Sequence, residues 1–410
     1  MERDLDGDQH GAMSVLRTAV IIVAAVVLAG CAATLPRNAL PERLVDQAEP
    51  SGLDGVRIWG DAPAAQIRTL VNREMRQRGE AAIARSNTEP VSNMLAISGG
   101  AEDGAFGSGL LIGWTAAGAR PEFDFVTGVS AGALIAPFAF LGPRYDPQLK
   151  AIFTQYGKED ILTVDLLSGI FGGLALADSA PLARLIAHYV DKTLLREIAR
   201  ERRKGRILLV ATTNLDAQRP VLWDMGRIAM SGDPRALSLF RQILLASASV
   251  PGVFPPVRIQ VRADGQDYDE MHVDGGITQQ VFLAPTALAF GDIDKAVGRK
   301  VNRRLYILRN GKITPEWQAV DDRVFATAGR SISTLIKNQS IGDLYRIHAT
   351  TTRDGIDFNL ATIPSTFGIT SAEPFDLRYM RTLYNVGFEL GKAGYHWAKA
   401  PPGLSGKAYR

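Results

Sequence analysis

Disulfide bonding is excluded first, because the 410-residue chain has a single cysteine, Cys31. One thiol closes no loop within an exported chain, so it needs another explanation. Histidine is scarce too: the five residues are scattered, no cluster has the spacing of a metal site, and no metal or other cofactor is expected. Strong charge of one sign is missing, with 46 Lys and Arg against 43 Asp and Glu, a net +3 spread evenly along the chain. That balance does not point to nucleic acid as a partner. There is no internal repeat or low-complexity tract. What is there is ordinary: 46% hydrophobic and 22% charged residues, enough to bury a sizeable core and too apolar for a disordered chain.

The one long apolar run is residues 18–29 (TAVIIVAAVVLA), preceded by Arg17 and followed by Gly30 and Cys31. This is the layout of a secretory signal with a small-residue cleavage site, and it is short for a membrane span. The acidic residues before Met13 are unlike a signal's basic start, so Met13 is the expected true start. Leu28-Ala29-Gly30-Cys31 resembles the lipobox of bacterial lipoproteins. The resemblance implies that residues 1–30 are a signal peptide and that Cys31 is lipidated and holds the protein to a membrane. Ala32, rather than Asp, after the cysteine favours the outer membrane, facing the periplasm of a bacterial envelope.

Residues 31–92 read as a tether with a leading helix around 64–84. Residues 94–97 form a short buried-type strand that runs into a glycine-rich turn, 98–109, and then a helix. Such a turn aims backbone amides at an anion. The anion is either a nucleotide, for which the G-K-[ST] and G-x-G-x-x-G forms are both missing, or an oxyanion near Gly100 and Ala101. Residues 161–177 (ILTVDLLSGIFGGLALA) read as a packed loop or a lipid-touching flap. The basic residues between Arg200 and Arg206 read as a solvated helix end capped by Gly205. Further strands are expected at 207–211, 221–223 and 304–308. Helix at 331–347, strand at 356–360 and helix at 377–392 read as a C-terminal α/β cover of the same domain, residues 311–410.

Two short stretches carry chemistry. Gly128-Val129-Ser130-Ala131-Gly132 lies between an apolar strand and an alanine-rich helix. A G-x-S-x-G turn in that place lifts the serine oxygen above the sheet, the geometry of a nucleophile. Asp274-Gly275-Gly276 follows the strand-like Met271-His272-Val273. An Asp there can be partly desolvated, as a carboxylate base requires, though the same letters also make an ordinary turn. The loop 246–256 (ASASVPGVFPP) is pinned by proline, and spacing alone does not place it.

In order, the glycine-rich loop, the G-x-S-x-G at Gly128–Gly132 and the Asp-Gly-Gly at Asp274–Gly276 resemble the patatin-like phospholipases over about residues 93–310. The resemblance implies a three-layer α/β/α fold with a central, mostly parallel sheet and a lipid acyl hydrolase. By residue, Ser130 is then the nucleophile, Asp274 the base and the Gly99, Gly100 and Ala101 backbone the oxyanion hole. Two positions depart from the family. Ala101 stands where a third glycine is usual, which is tolerable where φ is negative. Asp103 stands where a basic residue is usual, and beside Glu102 it would repel a phosphate. Lipid ester hydrolysis is therefore expected more firmly than action on phospholipids.

Two other readings stay open. An α/β-hydrolase would use a Ser-Asp-His triad, with His348 or His396 in the right chain order. A lipid-binding lipoprotein scaffold would need no chemistry at all. His272, two positions from Asp274 on a strand, is a candidate supporting group.

Overall fold

Unbroken apolar runs become the strands at the centre of the molecule, since a strand covered on both faces has no polar side. The computed structural model describes residues 37–74, 91–164, 175 and 177–404. The expected signal peptide, Met13 and Cys31 lie outside them. In chain order the first half comprises β1 (Glu49–Pro50), β2 (Arg57–Trp59), α1 (64–74), β3 (Ser92–Ile97), α2 (Gly104–Ala116), β4 (Phe125–Gly128), α3 (Ala131–Leu141), α4 (Asp146–Thr154), α5 (Lys158–Ile161), β5 (Thr163–Val164), β6 (Ala177–Asp178), α6 (Ala180–Tyr189) and α7 (Lys192–Arg203). The second comprises β7 (Ile207–Asn214), β8 (Arg219–Asp224), α8 (Met225–Met230), α9 (Ala236–Ser247), β9 (Val257–Ala263), β10 (Gln266–Asp274), α10 (Phe290–Val297), β11 (Arg303–Arg309), α11 (Val324–Asp354), β12 (Asp357–Thr362) and α12 (Leu377–Lys392).

The fold is mixed α/β, a central mostly parallel sheet with flanking helices, as expected. Its middle is the parallel set β7-β4-β3-β11-β12. An antiparallel wing of β10, β9 and β1 continues from one edge of β7, and β8 and β2 lie on the other. Val257–Ala263 in that wing buries alternate residues, the pattern of a strand with one wet face.

One expectation about boundaries gives way. Residues 37–59 are not a tether: Arg37 bonds Asp269 at 2.6 Å, and β1 and β2 pair with β9 and β8. Strands of two or three residues are specified by the edge they join, so periodicity does not reveal them. Residues 311–410, expected as a cover of the same domain, add a strand to its sheet, because β12 is the parallel neighbour of β11. α12 also packs on α2 through facing glycines. A Cβ on Gly109 or Gly113 would overlap the carbonyls of Tyr384 and Phe388, and one on Gly387 or Gly391 those of Phe106 and Leu110. Small residues every four positions bring the two backbones together.

The basic segment at 200–206 is only partly a solvated helix end. Arg202 is buried against Asp224 and Glu74, and Arg206 donates to the Phe123 carbonyl at 2.8 Å. Each is balanced by acceptors from distant segments. Residues 165–174 and 176 of the flap or packed loop lie outside the described residues; its ends form the β5–β6 pair. No helix of the described residues is long and apolar enough to cross a membrane.

Candidate active site

The site begins where β4 stops. After Gly128 the chain turns through Val129 and Ser130 into α3, and Ser130 adopts φ 54°, ψ −124°. A non-glycine residue in that region costs about 1–3 kcal/mol and persists only where its surroundings enforce it. Here the Val129 amide is tied to the Ile97 carbonyl at 3.2 Å, and the Ser130 carbonyl accepts from Ala133 at 2.8 Å. Gly132 lies against the Ile97 and Ser98 carbonyls, where any Cβ would collide. Gly128 is packed as tightly on Gly132 itself. Ser130 is buried, with 7% of its surface exposed.

Sheet topology brings Asp274 to it. One edge of β7 is taken by β8; the other is shared by two strands. Ile207–Val210 pair in parallel with β4, and Thr212–Asn214 pair antiparallel with the last three residues of β10. β4 and β10 therefore run toward each other and end on either side of Ala211. Two chain ends leave the sheet at one point, with Ser130 on one and Asp274 on the other. Gly275 fits because a Cβ there would strike the Ala211 carbonyl, and Gly276 because one would strike the Gln280 amide.

The unpaired groups at this break are met by the proline-pinned segment. The Ser247 hydroxyl donates to the Ala211 carbonyl at 2.7 Å and accepts from the Ser130 amide at 3.0 Å, and the Ser249 carbonyl accepts from the Asp274 amide at 2.9 Å. Neither serine was placed by the sequence; a small residue followed by a rigid loop was the only signal. Ser247→Ala leaves a buried N–H and a buried C=O without partners, which is expected to cost about 2 kcal/mol. A fall in the urea midpoint at constant slope measures it.

Asp274 is fully enclosed. Its Oδ1 accepts from the Gly276 amide at 2.7 Å, while Oδ2 is buried with no hydrogen-bond partner among the described residues. Burial pushes its pKa up to about 6, against the lowering effects of the Ser130 hydroxyl and the Gly276 amide. The carboxyl thus has one oxygen held in place and one left for Ser130.

The glycine-rich loop closes the site. A Cβ on Gly99 would lie 3.1 Å from Ser130 Cβ, so the loop and the elbow touch. Of the three residues expected to form the oxyanion hole, Gly99 is a correction: its N–H is already donated to the Gln280 carbonyl at 3.1 Å. The amides of Gly100 and Ala101 have no acceptor among the described residues. Ala101 takes φ +48°, the left-handed region that a third glycine would occupy freely. Asn310, just past β11, clamps the loop: its N–H and Nδ2 donate to Ser98 Oγ and O, both at 2.9 Å, and its Oδ1 accepts from the Gly107 amide at 3.1 Å.

Asp103 lies half-buried beside this loop and accepts from the Tyr379 hydroxyl. Burial raises its pKa to about 7, against that hydrogen bond and with help from Glu102. Its repulsion of an anion near neutral pH is therefore weaker than that of a full carboxylate.

The histidines are not brought to Ser130. His348 packs edge-on against Phe358, His396 is exposed, and neither bonds Ser130 or Asp274. His272 bonds Thr212 Oγ1 through Nδ1 at 2.9 Å and Glu270 through Nε2 at 3.1 Å. Because an ionised Glu270 carboxylate only accepts, the neutral ring carries its hydrogen on Nε2 and donates it there, and Nδ1 accepts from the Thr212 hydroxyl, whose oxygen accepts from Trp223 Nε1–H at 2.8 Å. Burial keeps the ring neutral by lowering its pKa, against the pull of Glu270. His272 reaches Asp274 only through Thr212, its cross-strand partner. No group of three His, Cys, Asp or Glu able to hold a metal occurs among the described residues.

Residues 95–287 match the family model described as patatin-like phospholipase. No curated protein matches the chain. Among solved structures, VipD from Legionella pneumophila is similar over 75% of this chain and 67% of its own, at 13% identity and a TM-score of 0.34. So distant a likeness adds nothing to the family match.

Proposed function

We propose that this protein is a membrane-anchored lipid acyl hydrolase working through a Ser130–Asp274 dyad and an acyl-enzyme, because residues 95–287 match the patatin-like phospholipase family model. The observation that carries the reading is the pairing of a strained, buried Ser130 with a carboxyl whose second oxygen has no hydrogen-bond partner among the described residues and whose pKa is about 6. At neutral pH that carboxyl is mostly ionised yet basic enough to accept a proton.

Asp274 takes the hydroxyl proton as Ser130 Oγ bonds to the ester carbonyl carbon. The carbonyl electron pair moves onto oxygen, where the Gly100 and Ala101 amides and the start of α3 stabilise it. Collapse expels the alkoxide, which leaves as the alcohol with the proton from Asp274. Water then attacks the acyl-Ser130 while Asp274 accepts its proton, and the fatty acid departs as Ser130 regains its hydrogen. A histidine is unnecessary at each step, and the placement of His348 and His396 supports the dyad over a triad.

Attachment through a lipidated Cys31, with the domain facing the periplasm from the outer membrane, is the localisation we propose. An exposed apolar face supports it. The first half of α11, to residue 339, buries no described residue, and Val324, Ile332 and Leu335 share one exposed face with Trp317 exposed nearby. The test is fatty-acid release by the full chain from phospholipid and from neutral glyceride in mixed micelles. Release from at least one is expected. No release from any acyl ester would leave the non-catalytic scaffold in its place.

A further inference from the structure

A second feature adjoins the loop and lies largely outside the family match. A cavity of about 440 Å³ lies between Ser98–Gly100, the end of β11 and the inner face of α11. Four cations line it, Arg309, Lys312, Arg330 and Lys337, against two acids, Asp103 and Glu316.

The pairing inside is uneven. Glu316 is taken by Lys312 and Lys337, each at 3.1 Å, and Asp103 accepts from Tyr379. Arg309 is buried, yet its Nε goes to Ser340 Oγ at 2.9 Å and its Nη1 to the Lys312 carbonyl at 2.8 Å, both neutral acceptors. Arg330 bonds Gln318 and the Glu316 carbonyl. Neither arginine pairs with a carboxylate among the described residues. A buried guanidinium is normally matched by an anion. Burial pulls the Arg309 pKa down to about 10, which Asp103 and Glu316 offset only in part.

We propose that this cavity is a subsite for a phosphate group, with Arg309 as its fixed cation and Arg330 and Lys337 reaching in from α11. The proposal rests on the lipid acyl hydrolase reading and adds to it the residues, all outside the family match, that would select an ester carrying a phosphate. Gly99 and Gly100 wall the cavity on one side, and Gly99 touches Ser130 on the other. An ester whose carbonyl lies at the Gly100 and Ala101 amides thus has room for its head group next door. A guanidinium fork suits phosphate oxygens, and the volume suits a small polar head. The departure at Asp103 then removes no phosphate recognition, because the cation comes from β11 instead of the loop.

The matched pair for the test is 1-acylglycerol 3-phosphate and 1-acylglycerol with the same chain, compared by kcat/KM with the full-length protein. The phosphate-bearing ester is expected to be preferred by about tenfold or more, and Arg330→Gln with Lys337→Gln to lower that ratio by about tenfold. Arg309→Met should lower it further; if it does not fold, the α11 pair alone decides. A ratio near one in the wild type, or one unmoved in the α11 variant, overturns the proposal.

Calorimetric titration of Ser130→Ala with glycerol 3-phosphate and with inorganic phosphate reads the subsite without catalysis. Binding weakened by the α11 changes upholds it even if no ester is cleaved, so failure of the hydrolase reading stays distinct. Inorganic phosphate binding as tightly as glycerol 3-phosphate, together with a lipid ratio of one, marks a free-anion site and overturns the head-group assignment.

Discussion

Ser130→Ala is expected to lower ester hydrolysis by about 10^4-fold or more while leaving the protein folded. The rate effect is large because the acyl-enzyme forms on Ser130 Oγ, so only the background from the oxyanion donors survives. Stability changes little: Ala meets the same strain at φ 54°, and the amide of residue 130 keeps its bond to Ser247. Thermal unfolding of the two proteins should agree within a few degrees. A burst of alcohol product in pre-steady-state kinetics, present in the wild type and absent in the variant, separates a covalent role from a binding one. Hydrolysis at the wild-type rate would remove the dyad and with it the enzyme reading of this site.

What could be read from the sequence was what is local. The helix at Ala131–Leu141 and that at Leu377–Lys392 follow from residues adjacent in the chain, as does the turn at Ser130. What could not be read depends on segments far apart. Ser247 meets Ser130 across 117 residues, and Asn310 meets Ser98 across 212. No local pattern announces such partners. The Gly99 amide was expected to face an oxyanion because its loop invites one, but it is taken by Gln280, 181 positions on. The positive φ of Ala101 was hidden for another reason, since an alanine is normally a sign that the backbone is not left-handed. Arg202 and Arg206 looked solvated because charge on a helix end usually is; the Asp224 and Phe123 groups that hold them in the core come from other elements. Arg309 reads on its own as the last residue of an ordinary strand.

Asp274→Asn should separate function from stability, because the carboxylate is costly to the fold and indispensable to the chemistry. Its folded-state pKa is about 6 against an ordinary 3.8, so the folded protein holds the proton more tightly than the unfolded chain. For an acid shifted upward the sign is a penalty: nothing below about pH 4, growing as pH rises through the window between the two values, and complete above about pH 6. Two pK units correspond to about 3 kcal/mol, an order-of-magnitude figure. Asn keeps the Oδ1 bond from the Gly276 amide and carries no charge, so the variant is expected to be more stable than the wild type at pH 8 by up to about 3 kcal/mol, with the difference vanishing near pH 4. Urea denaturation of both proteins at the two pH values measures this. The same change removes the base, and hydrolysis should fall about 10^3- to 10^4-fold. In the wild type kcat/KM should rise with pH through about 6 and level off above it, and the residual rate of the variant should lack that rise. A variant less stable than the wild type at pH 8, or one that keeps the inflection near 6, would assign the titration to another group, with Asp103, at about 7, the next to replace.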